Sequence, residues 1–261
     1  MRCKICLSES SYFGRFAILQ KYSVDYFCCP KCGFVQTEEP FWLQEAYMES
    51  INDTDVGMIN RNTSCAKVSK AIIVSFFNTR GKFLDFGGGY GIFVRMMRDL
   101  GFDFYWYDKH CPNLFAKNYE VDNALKDSYD LVTAFEVFEH LKDPMNEIEE
   151  MLKYSDHILF TTRLVPVDNP KPNQWWYYGL EHGQHISFYS SRSLRFISEH
   201  FRTSFYSNGS TFHMFSKKRI SPLLFRLITK SRIASILNSL WPEQSLLQND
   251  YERAVQRAFS K

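Results

Sequence analysis

The chain has 261 residues, enough for one full α/β domain with small appendages. Its formal net charge is +2, from 31 Lys and Arg against 29 Asp and Glu, so bulk charge makes no case for nucleic-acid binding. No export segment precedes the first cysteine and no apolar run reaches the about 18 residues a spanning helix needs, so a reducing, cytoplasmic setting is expected and the 7 cysteines are not read as disulfides.

Residues 1–38 carry two paired-cysteine knuckles, Cys3-x-x-Cys6 and Cys29-x-x-Cys32, the second followed by Gly33. Each knuckle offers two thiolates at a spacing that suits a tetrahedral ion, and glycine lets the backbone turn beneath it. Residues 12–19 and 22–28 between the knuckles read as aromatic strands. The segment looks like a zinc ribbon, with one structural zinc expected on Cys3, Cys6, Cys29 and Cys32. Cys28 is a neighbouring thiol, but Cys29 gives the correct knuckle. Four protein ligands leave no open position, so this metal is given no catalytic role. Cys65 and Cys111 stand alone and are expected to be inert.

Residues 39–80 form a helical linker region. Apolar spacing predicts a helix over 41–51, broken at Asn52-Asp53-Thr54-Asp55, and a second over 61–78 with Val68, Ile72, Ile73 and Phe76 on one side. Strands follow near 82–86, 103–107, 118–121, 129–135 and 157–163, with helices near 90–100, 144–154 and 191–200. Residues 201–207 and 211–216 read as an antiparallel pair joined at Asn208-Gly209.

The most informative stretch is 83–91, Phe-Leu-Asp-Phe-Gly-Gly-Gly-Tyr-Gly. A strand, a glycine turn and a helix in that order let the backbone approach a ligand closely. A phosphate-cradling loop needs Lys-Ser/Thr after its last glycine, whereas Ile92-Phe93 follows here. The dinucleotide fingerprint wants Gly or Ala where this chain has Ile92. The pattern Asp85-x-Gly87-x-Gly89-x-Gly91 instead resembles motif I of class I S-adenosylmethionine (SAM)-dependent methyltransferases. The run from Tyr129 to Pro144, which includes Phe135, Glu136 and His140, resembles motif IV of the same family. The resemblance spans about residues 80–215 and implies a Rossmann-like fold that binds SAM. It puts Gly87, Gly88 and Gly89 at the methionine part and Asp108 on the ribose, with Asp85, Phe135 and Glu136 among the cofactor-binding residues. A ribose carboxylate about 20 residues after the glycine turn is shared with dinucleotide enzymes and does not separate the two.

Residues 166–183 form a long insertion after the fifth strand, on the side where ligands bind. It carries Trp175-Trp176-Tyr177-Tyr178 and then Glu181-His182, with His185 just beyond. Four consecutive side chains cannot all face one way on a strand, so the aromatics either stack on a planar acceptor or pack the loop down. A neutral hydroxyl acceptor needs a general base, for which His182, His185 and His140 are candidates, with Glu181 placed to orient one of them. The Trp-Trp-Tyr-Tyr and Gln-His-Ile-Ser-Phe-Tyr-Ser segments resemble methyltransferases of bacterial surface-polysaccharide and modified-sugar pathways. That resemblance implies a sugar or glycan acceptor, nucleotide- or lipid-linked; the departure from the related sugar C-methyltransferases, whose long C-terminal domain has no counterpart here, makes O-methylation the expectation. Alternatives are a small-molecule O-, N- or C-methyltransferase of natural-product or quinone type, and a non-catalytic methyltransferase-like scaffold.

The tail, 217–261, is expected to be helical and basic. Lys217, Lys218, Arg219, Arg226, Lys230 and Arg232 accompany Leu223, Leu224, Leu227, Ile228, Ile236 and Leu240. Residues 217–240 could lie on the inner face of an anionic membrane or pack on protein, and packing is the favoured expectation. The expected architecture is thus α/β: a ribbon (1–38), a linker region (39–80), a methyltransferase domain (81–216) and a helical tail (217–261).

Overall fold

Period-two and period-3.6 apolar patterns build two sheets and their covering helices in the computed structural model, which describes residues 1–48, 55–121, 129–242 and 244–259. In chain order the elements are β1 (Ser11–Ile18), β2 (Tyr22–Cys28), β3 (Val35–Thr37), α1 (Leu43–Ala46), α2 (Met58–Phe76), β4 (Lys82–Phe86) and α3 (Ile92–Asp99). They continue with β5 (Asp103–Tyr107), β6 (Leu131–Ala134), α4 (Pro144–Leu152), β7 (His157–Thr161), β8 (Ser187–Phe188) and α5 (Ser191–His200). Last come β9 (Ser204–Ser207), β10 (Phe212–Ser216), α6 (Pro222–Ile228), α7 (Ser231–Leu240) and α8 (Leu247–Phe259).

The larger sheet has the order β5-β4-β6-β7-β10-β9. Strands β5, β4, β6 and β7 are mutually parallel, and β10 runs antiparallel to both its neighbours. Parallel strands are buried on both faces, and the alternation of side chains divides them. Phe83, Leu131 and Leu159 join α2 and α3 through Ile72, Ile73 and Met97. Leu84, Val132 and Ile158 face α4 and α5 through Ile148, Met151 and Ile197. The chain passes from β4 to β5 on one side and returns to β6 on the other, so a crevice opens at the carboxyl ends of β4 and β6.

The turn between β9 and β10 lies where Asn208-Gly209 predicts it, and the Asn208 side-chain oxygen accepts the amides of Ser210, Thr211 and Phe212. The strand expected over 118–121 is reduced to one parallel bridge between Trp106 and Glu120. Asn118 sits at φ 76, a left-handed position that interrupts an extended run. Strands 129–135 and 157–163 are shorter than the sequence suggests, and α2 starts at Met58 rather than 61. Of the helix expected over 41–51 only Leu43–Ala46 forms among the described residues; 49–54, which include all of the expected break at 52–55 except Asp55, lie outside them.

The smaller sheet has the order β1-β2-β3-β8. Three of its strands lie in the 1–38 segment, but β8 comes from beyond the long insertion, paired through Val35–Phe188 and Gln36–Ser187. Tyr26, Tyr178 and Phe188 pack against one another across this sheet, and the buried Trp42 donates its indole N–H to the Gly183 carbonyl. The ribbon is therefore fused to the insertion.

The tail packs on the α/β domain through Phe225, Ile228 and Ala234, which join the cluster around Ile72. Leu223, Leu224, Leu227, Ile236 and Leu240 stay exposed. Among the described residues no helix is long and apolar enough to cross a membrane.

Candidate active site

The glycine turn is held from three sides. Gly87 and Gly88 donate their amides to the Tyr107 carbonyl, Gly89 donates to Asp108 Oδ2 at 2.9 Å, and Trp106 donates its indole N–H to the Gly89 carbonyl at 2.8 Å. Asp108 also accepts the amides of His110 and Cys111, so its carboxylate orders the loop as well as facing the crevice. A Cβ at Gly88 would meet Trp106 at 2.8 Å and Asp85 at 2.9 Å. A Cβ at Gly89, where φ is 52, would meet nothing within 4 Å. That open space beside a bare backbone fits a close-lying SAM molecule, whose methionine part would run past Gly87–Gly89 and whose ribose would reach Asp108.

Asp85 is buried beneath the turn and accepts a hydrogen bond from the Thr133 hydroxyl at 2.7 Å. Burial pushes its carboxyl up to about 7, against that hydrogen bond. Glu136 follows β6 in a left-handed conformation, φ 53. Its backbone N–H donates to the Thr161 hydroxyl, which in turn donates to its carboxylate. Arg61 lies 3.6 Å from the same carboxylate and 2.7 Å from Asp55.

One cavity of about 980 Å³ brings the predicted residues together: Gly87, Gly89, Asp108 and Glu136 on one part of its wall, His140, His182 and His185 on another. Glu181 lines it too. A smaller cavity of about 170 Å³ shares Gly87, Gly89 and Glu136 and adds Asp85, Gly88 and Phe135. Of the four consecutive aromatics, Tyr177 and Tyr178 are buried, whereas Trp176 is 71% exposed and lines the larger cavity. Tyr178 packs on Tyr26 of the ribbon. Trp175 is half-buried against Tyr177 and Tyr178, so packing accounts for three of the four rings.

The three histidines are not equivalent. His182 Nδ1 accepts the Gln184 amide at 3.1 Å, which occupies its free lone pair. Glu181 is exposed, and the described hydrogen bond that orients His182 comes from this amide instead. His185 Nδ1 lies 2.6 Å from the Tyr177 carbonyl; a carbonyl only accepts, so the proton sits on Nδ1 and Nε2 is bare. His140 Nδ1 lies 3.2 Å from the Gln184 carbonyl, with the Tyr47 hydroxyl at 2.9 Å. Donation to that carbonyl leaves its Nε2 bare too. Burial, reinforced by His182, pulls His140 down to about 4, and burial with His140 and His182 nearby pulls His185 well below the usual range. Both rings are neutral at ordinary pH. Next to them, Glu139 is fully buried, and burial followed by the charge of Glu136 pushes its carboxyl up to about 8.

Asp55, Arg61, Tyr47, Thr161 and Glu139 are absent from the set predicted from sequence. For Glu139 the signal was present as Glu136-x-x-Glu139-His140 at a strand end. Tyr47 and Arg61 sit in the linker region, where nothing local marks them.

In the ribbon, Cys3 and Cys32 place their sulfurs 3.6 Å apart, and Cys6 and Cys29 place theirs 3.4 Å apart. A tetrahedron with 2.3 Å zinc–sulfur bonds has edges of about 3.8 Å, so these thiols fit such an ion. All four are buried and free of disulfides. Gly33, at φ 71, turns under them, and the Ser190 hydroxyl donates to the Cys32 carbonyl at 2.6 Å.

A family model described as "Methyltransferase domain" matches residues 61–201. Among solved structures, the chain is similar to the plantazolicin methyltransferase in complex with SAH, at 13% identity and TM-score 0.46 over 69% of this chain and 95% of that one. It is also similar to the magnesium protoporphyrin IX methyltransferase of Synechocystis PCC 6803 with bound SAH, at 14% identity and TM-score 0.42 over 67% and 94%. No curated protein matches the sequence.

Proposed function

The chain belongs to the methyltransferase-domain family and is a SAM-dependent methyltransferase, and on that premise we propose that it methylates a hydroxyl group of a sugar or glycan intermediate. The observation that carries this reading is the 980 Å³ cavity, which joins the glycine turn to a chamber with an exposed indole and bare imidazole nitrogens. That volume is at the upper end of ordinary ligand sites, which leaves room for an acceptor beside the donor. SAM supplies an electrophilic methyl group on a sulfonium. The residues of the chain bind it and aim the acceptor at it, and alignment is the larger part of such catalysis.

Trp176 offers a flat apolar face, which suits the apolar face of a sugar ring. Arg163 stands 5.9 Å above that indole, a charge available to a phosphate on a nucleotide- or lipid-linked acceptor. The acceptor proton is received at the wall made by His140 and His185. His182, whose Nδ1 is taken by Gln184, is placed to shape the loop.

The four-cysteine cluster is assigned to one structural zinc, supported by the sulfur separations and the shared burial of the thiols. The test of the acceptor is a mass-spectrometric screen of nucleotide sugars and lipid-linked glycans for the gain of one methylene, with SAM as donor. Transfer to a glycan hydroxyl supports the proposal. SAM turnover on quinols or peptides alone would overturn the sugar assignment and leave the enzyme class standing.

A further inference from the structure

We propose that Glu139, His140 and His185 form a binding site for a divalent first-row metal ion in the wall of the acceptor chamber, separate from the four-cysteine cluster. Ligand atoms of the three side chains all lie within 4.8 Å of one another. One carboxylate and two imidazoles are the donor set of His₂Glu catalytic zinc sites, which keep a position open for water or substrate. Nitrogen and oxygen donors of this kind serve zinc, manganese, iron or cobalt, whereas the ribbon's thiolates select softer chemistry.

Two further observations point to an ion. Glu139 is wholly buried, and neither carboxylate oxygen makes a hydrogen bond of good geometry among the described residues; the Tyr177 and Thr162 hydroxyls are the donors near it. Buried carboxylates are normally satisfied, because an orphaned one is costly. The second observation is the orientation of the rings. His185 and His140 direct Nδ1 at the backbone carbonyls of Tyr177 and Gln184. Metal-binding histidines characteristically donate their second ring N–H in this way, which fixes the tautomer and aims Nε2 at the ion.

The supporting frame is rigid. Glu139 and His140 lie on a single 3₁₀ turn, Phe138–His140, after β6. His185 arrives from the insertion, and the Ile186 amide donates to the Glu139 carbonyl at 2.9 Å, which clamps the two segments together. His140 and His185 line the cavity and Glu139 lies behind them, so an ion held by the three would have its free side toward the acceptor.

The role of the ion rests on the methyltransferase reading; its binding does not. An acceptor hydroxyl that reaches the ion is polarised and loses its proton to water in the chamber. Its oxygen lone pair forms the new O–C bond. The methyl–sulfur bond breaks and its electron pair stays on sulfur, which becomes a neutral thioether. Where the ion is bound, the two histidines are its ligands, and the proton they would receive in its absence passes to water instead.

The test uses the full chain with its cysteine cluster loaded with zinc, titrated with Mn²⁺ and followed by calorimetry and electron paramagnetic resonance. One equivalent of Mn²⁺ is expected beyond the zinc. His185→Ala and Glu139→Gln should each weaken it by at least about a hundredfold, since loss of an outer-shell partner alone costs 10–100-fold. Co²⁺ gives a second readout, because nitrogen–oxygen and thiolate sites differ in their visible absorption. If Glu139→Gln does not fold, His185→Ala and His140→Ala carry the test. An absence of any ion beyond the cysteine cluster, or Mn²⁺ binding that survives the folded variants, overturns the site. SAM affinity is measured in parallel: Mn²⁺ binding without SAM binding keeps the site and removes its catalytic role, whereas SAM binding without Mn²⁺ binding removes the site and leaves the methyltransferase reading standing.

Discussion

A methyl group added at Gly89 would meet open space, whereas one at Gly88 would meet Trp106 and Asp85. The two glycines therefore differ: Gly88 is constrained by its neighbours, and Gly89 by its left-handed backbone alone, beside the space proposed for the donor. Gly89→Val should abolish SAM binding by filling the space beside the bare backbone, at a stability cost of about 1–2 kcal/mol for the left-handed conformation. Calorimetry and thermal melting of the same sample check this; full SAM affinity in a folded Gly89→Val protein would refute the placement. Asp108→Ala should lower SAM affinity by at least about 1.5 kcal/mol, the order for hydrogen bonds to a charged group. Because Asp108 also holds the Gly89, His110 and Cys111 amides, the variant should in addition speed amide exchange in the loop. Asp85 yields a pH prediction. Its carboxyl is raised by burial from 3.8 to about 7, so the native state holds a proton that the unfolded chain has released in that window. Its contribution to the stability of the SAM-free protein is therefore full below the window and lost as pH rises through it, by about 1.4 kcal/mol per pH unit. Urea midpoints of wild type and Asp85→Asn across the window should diverge by that slope, and parallel curves would show that Asp85 does not carry the proton.

At the scale of elements, the ribbon and the insertion stand or fall together. Strand β3 pairs with β8, and the Cys32 carbonyl is held by Ser190, the residue that caps α5. Thiolate–zinc binding supplies much of the folding free energy of small zinc units. Chelation should thus release β1 to β3 and, with them, β8 and the insertion that carries His185, while the helices keep their far-ultraviolet signal. Hydrogen exchange should rise at Val35–Thr37 and Ser187–Phe188 in concert. Fast exchange confined to the ribbon would show that the shared sheet does not couple them. The insertion also shows why four aromatics in a row resist interpretation from sequence. A 3₁₀ turn at Trp176–Tyr178 points Tyr178 into the ribbon sheet and leaves Trp176 in the cavity. The packing role expected for that run is present at Tyr177 and Tyr178, while Trp176 is left exposed to the cavity, where stacking on an acceptor is proposed.

At the scale of the whole molecule, the tail is anchored by charge as well as by apolar packing. Arg98 of α3 is buried and donates to Asp250 of α8 through two nitrogens, at 2.7 and 2.8 Å, to Asp103 at 2.6 Å, and lies 3.6 Å above the Tyr119 ring. Asp250→Ala removes the bidentate partner and leaves a buried guanidinium only partly compensated. Loss of one partner from a buried pair costs about 3–5 kcal/mol, and the lower end is expected here because Asp103 remains. Chemical denaturation should show this loss, and α8 should become sensitive to protease. A change below the noise of the measurement would mean that α8 is not docked in solution as it is here.

The glycine turn, Asp85, Asp108, both cysteine knuckles and most strands of the larger sheet could be read from the sequence. Their signals are local: a turn chemistry, a fixed ligand spacing, or an apolar run of strand length, each confined to a few consecutive residues. The closure of the ribbon by β8, the meeting of Glu139 with His185, and the pairing of Arg98 with Asp250 are decided only by the tertiary structure. In each case the partners are far apart in the chain, and neither carries a local mark of the other. What brings them together is the burial of the segments around them: the sheet positions the turn after β6, the insertion folds back over it, and the tail covers α3. The same burial gives the residues their chemistry, since it leaves Glu139 without a well-formed hydrogen bond and the two imidazoles neutral with bare nitrogens.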